Sequence, residues 1–196
     1  MQLNVKNLES TDIYKIVSNT VTPRPIAWVS TISKEKILNL APFSYFTPLS
    51  SNPATFLISV GHKPNGLPKD TLKNLRETKK CSIVIATTEQ LKDMHNSSSP
   101  LEFNQSEFEE FNIKTTLINS NYPKVPTDSK VVFFCEYLQE INLKNSKTIP
   151  VIVELKEMFI DDELFTNKEN LKIEFINQIA RVGAKYFKLG EELEIV

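Results

Sequence analysis

Pro25-Ile26-Ala27-Trp28-Val29-Ser30-Thr31-Ile32 is a short apolar run rich in β-branched residues. A proline opens it, where a missing N–H costs least, so it reads as a strand. Lys34-Glu35 reads as a turn, and further strand signals follow near Lys36 to Leu40 and near Phe43 to Thr47. Thr55-Phe56-Leu57-Ile58-Ser59-Val60, between Pro53 and Gly61, is a near-continuous apolar run and predicts a strand buried on both faces. Cys81 to Thr87 is the next strand. Two longer ones come late, over Lys130 to Ile141 and Ile149 to Ile160. In the last of these Val151, Val153 and Leu155 alternate with Ile152, Glu154 and Lys156, the pattern of a strand with one buried face.

Helical signals fall between the strands and are short. One lies around Thr11 to Val17. Another spans Leu72 to Thr78, capped by Asp70 or Thr71. Thr87-Thr88-Glu89-Gln90 reads as a capping box opening a helix to about His95, and Ser106-Glu107-Phe108-Glu109 as a second box. Asn170 to Ala180, with Leu171, Phe175, Ile176 and Ile179 at helical spacing, predicts a late helix. The strands come in clusters without a β-α-β rhythm. The expectation is a mainly β (α+β) chain, an antiparallel barrel with short helical insertions, forming one domain over residues 1–196.

The composition, 40% hydrophobic and 24% charged, is that of a globular chain able to bury a core. Lys+Arg is 23 and Asp+Glu 24, which argues against a dedicated nucleic-acid binder. Met1 to Asn7 contains no apolar signal core, and no run approaches the roughly 18 apolar residues of a membrane helix, so a cytoplasmic location is expected. Cys81 and Cys135 sit in apolar runs with no metal-type spacing; they read as buried thiols, a disulfide being the alternative. With four glycines the chain has neither Gly-x-Gly-x-x-Gly nor a P-loop, and Gly-x-Ser-x-Gly and His-Glu-x-x-His are also absent. His62 and His95 are the two histidines, and each reads more readily as an ordinary polar residue than as a catalyst.

Three segments carry chemistry. Lys69-Asp70-Thr71 sets a cation and a hydroxyl at a helix N-terminus, where free N–H groups and the helix dipole suit phosphate. An ordinary N-cap with a solvated lysine has the same sequence. Arg24 lies between Pro23 and Pro25, and a guanidinium held by a stiff backbone suits phosphate or carboxylate, or is simply a turn arginine. Asn39-Leu40-Ala41-Pro42-Phe43-Ser44-Tyr45-Phe46 mixes small, amide, hydroxyl and aromatic residues. Such a segment can admit a flat ring and bond its polar edge, or can be a strand crossing with packed aromatics.

In order, Pro23-Arg24-Pro25-Ile26-Ala27-Trp28-Val29-Ser30-Thr31, Asn39 to Phe46, Ser51-Asn52-Pro53, Lys69-Asp70-Thr71-Leu72-Lys73-Asn74 and Arg181-Val182-Gly183-Ala184-Lys185-Tyr186-Phe187-Lys188-Leu189-Gly190 resemble the flavin reductase-like family of FMN-binding split barrels. The resemblance implies a split-barrel fold, FMN as cofactor near a homodimer interface, and hydride transfer from NADH or NADPH. A partner oxygenase or redox protein would take up the reduced flavin. Carried over by position, it implies that Arg24, Thr31, Lys69, Asp70 and Thr71 surround the phosphate. Asn39, Ala41, Pro42 and Ser44 then lie beside the isoalloxazine, and Ser59 near the ribityl chain. His95 stands where the family pattern has Asn, and Ala184 where a glycine is common. An FMN electron carrier and a split barrel without flavin are the competing readings. No acid–base residue is required for hydride transfer to the flavin, which agrees with the lack of a catalytic His or carboxylate motif.

Overall fold

In the computed structural model, residues 1–63, 65–175 and 177–190 are described. Helix α1 (Ser10–Thr20) leads into strands β1 (Arg24–Pro25), β2 (Ala27–Ile32), β3 (Leu38–Phe43), β4 (Phe46–Ser51) and β5 (Ala54–Gly61). Helix α2 (Asp70–Thr78) and strand β6 (Lys80–Val84) follow, then helices α3 (Leu91–Asn96) and α4 (Glu107–Glu110). The strands that follow, with one 3-10 turn at Asp162–Leu164, are β7 (Thr115–Thr116), β8 (Val125–Pro126), β9 (Val131–Glu140), β10 (Thr148–Ile160), β11 (Phe165–Asn167), β12 (Lys172–Ile173), β13 (Ile179–Val182) and β14 (Lys185–Lys188).

The main sheet has seven antiparallel strands in the order β3-β2-β6-β9-β10-β5-β4. Its two edge strands, β3 and β4, are consecutive in the chain and only Ser44 and Tyr45 join them. Three Cα steps reach about 11 Å, whereas the edges of a flat sheet of this size stand about 29 Å apart. The sheet must therefore curl until its edges meet, and a Ser59 N–H bonded to the Tyr45 carbonyl (2.9 Å) secures the junction. A smaller sheet, β1-β13-β14, ties the C-terminal hairpin to the residues before β2.

Period-two alternation fills both faces. Ala27 and Val29, Ile58 and Val60, Cys81 and Ile83, Val151 and Val153 form the barrel core, with Leu72 and Leu75 of α2 packed into it. The opposite face carries Trp28, Leu40, Val84, Val132 and Phe134 under a cover formed by Met94, Phe108, Ile113, Tyr122 and Val125. Polar pins hold that cover: Trp28 Nε1 donates to Ser97 Oγ (2.9 Å), Ser30 Oγ to the Lys124 carbonyl (2.6 Å) and Ser82 Oγ to the Pro123 carbonyl (2.8 Å). The strand buried on both faces is thus β2, whereas in β5 Leu57 and Ser59 remain half-buried because no cover lies over that side. Cys81 and Cys135 face each other across β6 and β9 as free buried thiols, and burial raises the Cys135 pKa.

Two sequence expectations are corrected. The late helix over residues 170–180 is absent: Leu171 has a positive φ and is 72% exposed, and Ile179 and Ala180 pair as strand instead, Ala180 against Pro25. Ile179 packs into the core from strand β13, and a ladder with β1 satisfies the backbone; Ile176, within the expected helix, lies outside the described residues. The second capping box also does not form. Ser106 makes no side-chain cap, so the Ser106–Glu109 box stays open, while the neighbouring Glu107 carboxylate accepts from the Leu40 N–H. The first box forms as expected, with the Thr87 N–H bonded to Gln90 Oε1 (3.1 Å). At Gly183, in the β13–β14 turn, φ is +53° and a Cβ would stand 2.4 Å from Asn19 Oδ1, so any other residue is strained there and must displace the Asn19 side chain. Ala184 beside it is exposed and crowds nothing.

Candidate functional site

Alternation along β2 and β3 turns Thr31, Asn39 and Ala41 toward the barrel end that α2 closes, since Thr31 pairs with Asn39 and Val29 with Ala41. Thr71 and Asn74, three residues apart on α2, share one helix face and meet them there. Asn39 Nδ2 donates to Thr31 Oγ1 (3.2 Å) and Thr71 Oγ1 (3.0 Å), and Asn74 Nδ2 donates to Thr31 Oγ1 (3.1 Å). All four side chains are buried, and Asn74 Oδ1 has no partner. A polar cluster this deep rigidifies the barrel end, because leaving any member unpaired costs about 1–3 kcal/mol.

Above this cluster lies a groove of about 1100 Å³. Asn39 and Ala41 form part of its floor and Lys69, Asp70 and Thr71 its α2 side, while the 97–105 loop supplies the facing wall, including Pro100, Leu101 and Phe103. Lys69, not Asp70 or Thr71 as expected, is the N-cap residue of α2, because Asp70 and Thr71 are already helical, and no side chain among the described residues caps the first-turn N–H groups. Asp70 is held by Lys63 (2.8 Å), and Lys73 Nζ sits 3.2 Å above the Phe103 ring. Lys69 is exposed and, among the described residues, has no carboxylate within ion-pair distance; its Nζ lies 6.0 Å from the Phe43 ring centroid. The groove therefore combines a free cation, a helix N-terminus and apolar walls, a set that suits a flat ligand bearing a phosphate.

Glu107 enters the groove from α4. It is 5% exposed, and its Oε2 accepts the Leu40 N–H at 2.8 Å. That N–H belongs to the edge strand of the sheet, so the carboxylate satisfies a donor that no strand can take. Pro42, the next position of the same outward set, has no N–H to satisfy. Burial pushes the Glu107 carboxyl up to about 7, against the opposing pull of the Leu40 N–H.

The other expected site residues gather elsewhere. Arg24 is buried, donating from its two terminal nitrogens to the Ser18 and Gly183 carbonyls, with Nε unpaired and the guanidinium 5.8 Å from the Tyr45 ring centroid. It knits α1 to the C-terminal hairpin and does not line the groove. Ser44 lies in the β3–β4 link and Ser59 bonds that link through its backbone; neither they nor Pro42 line the groove. Thr31 reaches the groove only through Asn39. The histidines stand apart from it: His62 Nδ1 bonds the Lys147 carbonyl, and His95 Nδ1 bonds Tyr186 Oη at 3.1 Å. His95 is thus turned away, and it is Ser97 and Ser98 of that loop that line the groove. Asn74 and Glu107 were not singled out in the sequence. Asn74 is legible from its spacing to Thr71, whereas Glu107 looks only like a cap.

Residues 19–172 match the family model described as "Flavin reductase like domain". An uncharacterized protein of Aquifex aeolicus (strain VF5) is 31% identical over 192 residues, covering 95% of this chain and 94% of its own. Nitrilotriacetate monooxygenase component B from Bacillus cereus superposes with a TM-score of 0.88 at 25% identity, covering 100% of this chain and 98% of its own. An FMN-binding protein from Thermus thermophilus, solved with bound 1-cyclohex-2-enone, superposes with a TM-score of 0.79 at 15% identity, with 100% of both chains covered. The curled seven-stranded sheet is the split barrel of these proteins.

Proposed function

Because the chain belongs to the flavin reductase-like family, we propose that it is an oxidoreductase that binds FMN in the groove at the N-terminus of α2 and takes hydride from NADH or NADPH. The observation that carries this reading is Lys69, a cation without a carboxylate partner among the described residues, beside the first turn of α2 and next to the Asn39–Thr71 hydrogen bond. Lys69 and the first-turn N–H groups bind the phosphate. Ala41 leaves room for the ring, and Asn39 is fixed by two hydroxyls so that its carbonyl oxygen is offered in one orientation. Pro100, Leu101 and Phe103 exclude water from the ring's face. When bound, the flavin supplies the redox chemistry, and the protein supplies orientation and electrostatics.

The chain acts as a homodimer in this reading. Tyr14, Val17 and Val21 form an exposed apolar stripe along α1, and twofold pairing is the commonest way to cover such a face. The component B name of the Bacillus cereus structure supports an oxygenase as the consumer of reduced flavin. No helix among the described residues is long and apolar enough to cross a membrane. The test is nicotinamide oxidation by purified protein with and without added FMN. Turnover that requires or saturates with FMN is the expected result; FMN binding with no NADH or NADPH oxidation would instead favour an electron carrier.

A further inference from the structure

Glu107 is a buried carboxyl that no cation neutralises. Among the described residues no Lys, Arg or His lies within ion-pair distance of it, and Lys63, the base nearest in influence, is already bound to Asp70. The donors reaching it are backbone N–H groups, that of Leu40 and its own. Yet its side chain forms part of the groove wall, on the same cavity as Asn39 and Ala41. We propose that Glu107 is a ligand-contacting residue that works in its neutral form, donating a hydrogen bond to an acceptor edge of the occupant, so that filling the groove takes up a proton; this rests on the groove being the flavin site.

The charge environment sets the sign. From α2 the groups facing the groove are Asp70 and Lys73, with Lys69 at the cap; from the preceding loop, Lys63; and from the 97–105 loop, Glu102, whereas Glu109 and Glu110 on α4 are exposed and do not line it. Strand β3 contributes no charged side chain. Asp70 raises the Glu107 pKa and Lys63 lowers it, and burial outweighs both, placing it at about 7. A ligand seated in the groove removes water from the carboxyl, and its phosphate draws on the lysines that would otherwise stabilise the anion. Both effects favour the neutral acid. A neutral carboxyl is also a donor, which an anionic one is not. Isoalloxazine edges offer ring carbonyls and nitrogens, so the neutral form complements them.

Isothermal titration of FMN into the protein at pH 7.0, in two buffers of different ionisation enthalpy, counts the protons. The expected uptake is about half a proton per site, since a group titrating near 7 is half charged there. Between pH 7 and 9 the phosphate stays a dianion and the lysines stay charged. The wild-type Kd should therefore rise at least about tenfold over that span through Glu107 alone. Glu107→Gln keeps an acceptor for Leu40 and an N–H donor for the ligand, and should bind FMN with no Glu107-dependent uptake and a flat profile. Uptake in the variant equal to wild type, or a flat wild-type profile with FMN still bound, overturns the inference and leaves the flavin reading intact. If the variant does not fold, the wild-type series decides by itself. No FMN binding at any pH removes the flavin reading and the inference with it.

Discussion

Lys69→Ala separates a ligand-binding lysine from a structural one. Among the described residues Lys69 makes no ion pair and no side-chain cap bond, so its removal strands none of them. Folding stability should therefore stay within about 0.5 kcal/mol of wild type by urea denaturation. FMN binding should suffer. A hydrogen bond to a charged group contributes about 1.5–3 kcal/mol, and Lys69 is exposed, so the low end applies. A loss of about 1.5 kcal/mol corresponds to roughly tenfold in Kd. Quenching of flavin fluorescence reads this directly. Riboflavin, which lacks the phosphate, provides the second arm: its affinity should be unchanged. Wild-type FMN affinity in the variant, or an equal loss for FMN and riboflavin, would refute the assignment of Lys69 to the phosphate.

Three further outcomes are expected. Ala41→Leu should abolish flavin binding while the circular dichroism stays native, because its half-buried side chain lines the groove and a larger one fills it. Arg24→Ala should destabilise the fold by about 1–2 kcal/mol in urea, since it removes two buried side-chain hydrogen bonds while the Ser18 carbonyl keeps the Gly183 N–H and the Gly183 carbonyl keeps Arg181 Nε. Glu107 should make the apo protein's stability fall with rising pH. Its folded pKa of about 7 lies above its ordinary 4.5, so its contribution is full below 4.5 and is lost as pH rises to 7. The loss amounts to about 3 kcal/mol at most, and a Glu107→Gln profile parallel to wild type over that window would count against it.

The barrel was legible because Pro25 to Ile32 is a short β-branched apolar run opened by proline, and because Val151, Val153 and Leu155 alternate with Ile152 and Glu154. The site was partly legible. Asn39, Ala41, Lys69, Asp70 and Thr71 converge because β3 and α2 meet at one barrel end. The partners of Arg24 could not be read from its sequence context. Two prolines stiffen its backbone, but the destination of its side chain is set by Gly183, more than 150 residues away, and by the end of α1. The helix expected over residues 170–180 failed for a related reason: helical spacing of apolar residues shows a face, not the layer that must cover it. Glu107 was hidden because its partner is a backbone N–H on an edge strand, and side-chain patterns carry no trace of such a bond.

The central claim is that the groove at the start of α2 holds the flavin. A crystal structure of the protein grown with saturating FMN tests it most directly. The account predicts the phosphate within hydrogen-bond distance of Lys69 Nζ and the first-turn N–H groups of α2, with the ring against Ala41. FMN bound away from this groove, or an empty groove at saturating FMN, would contradict it.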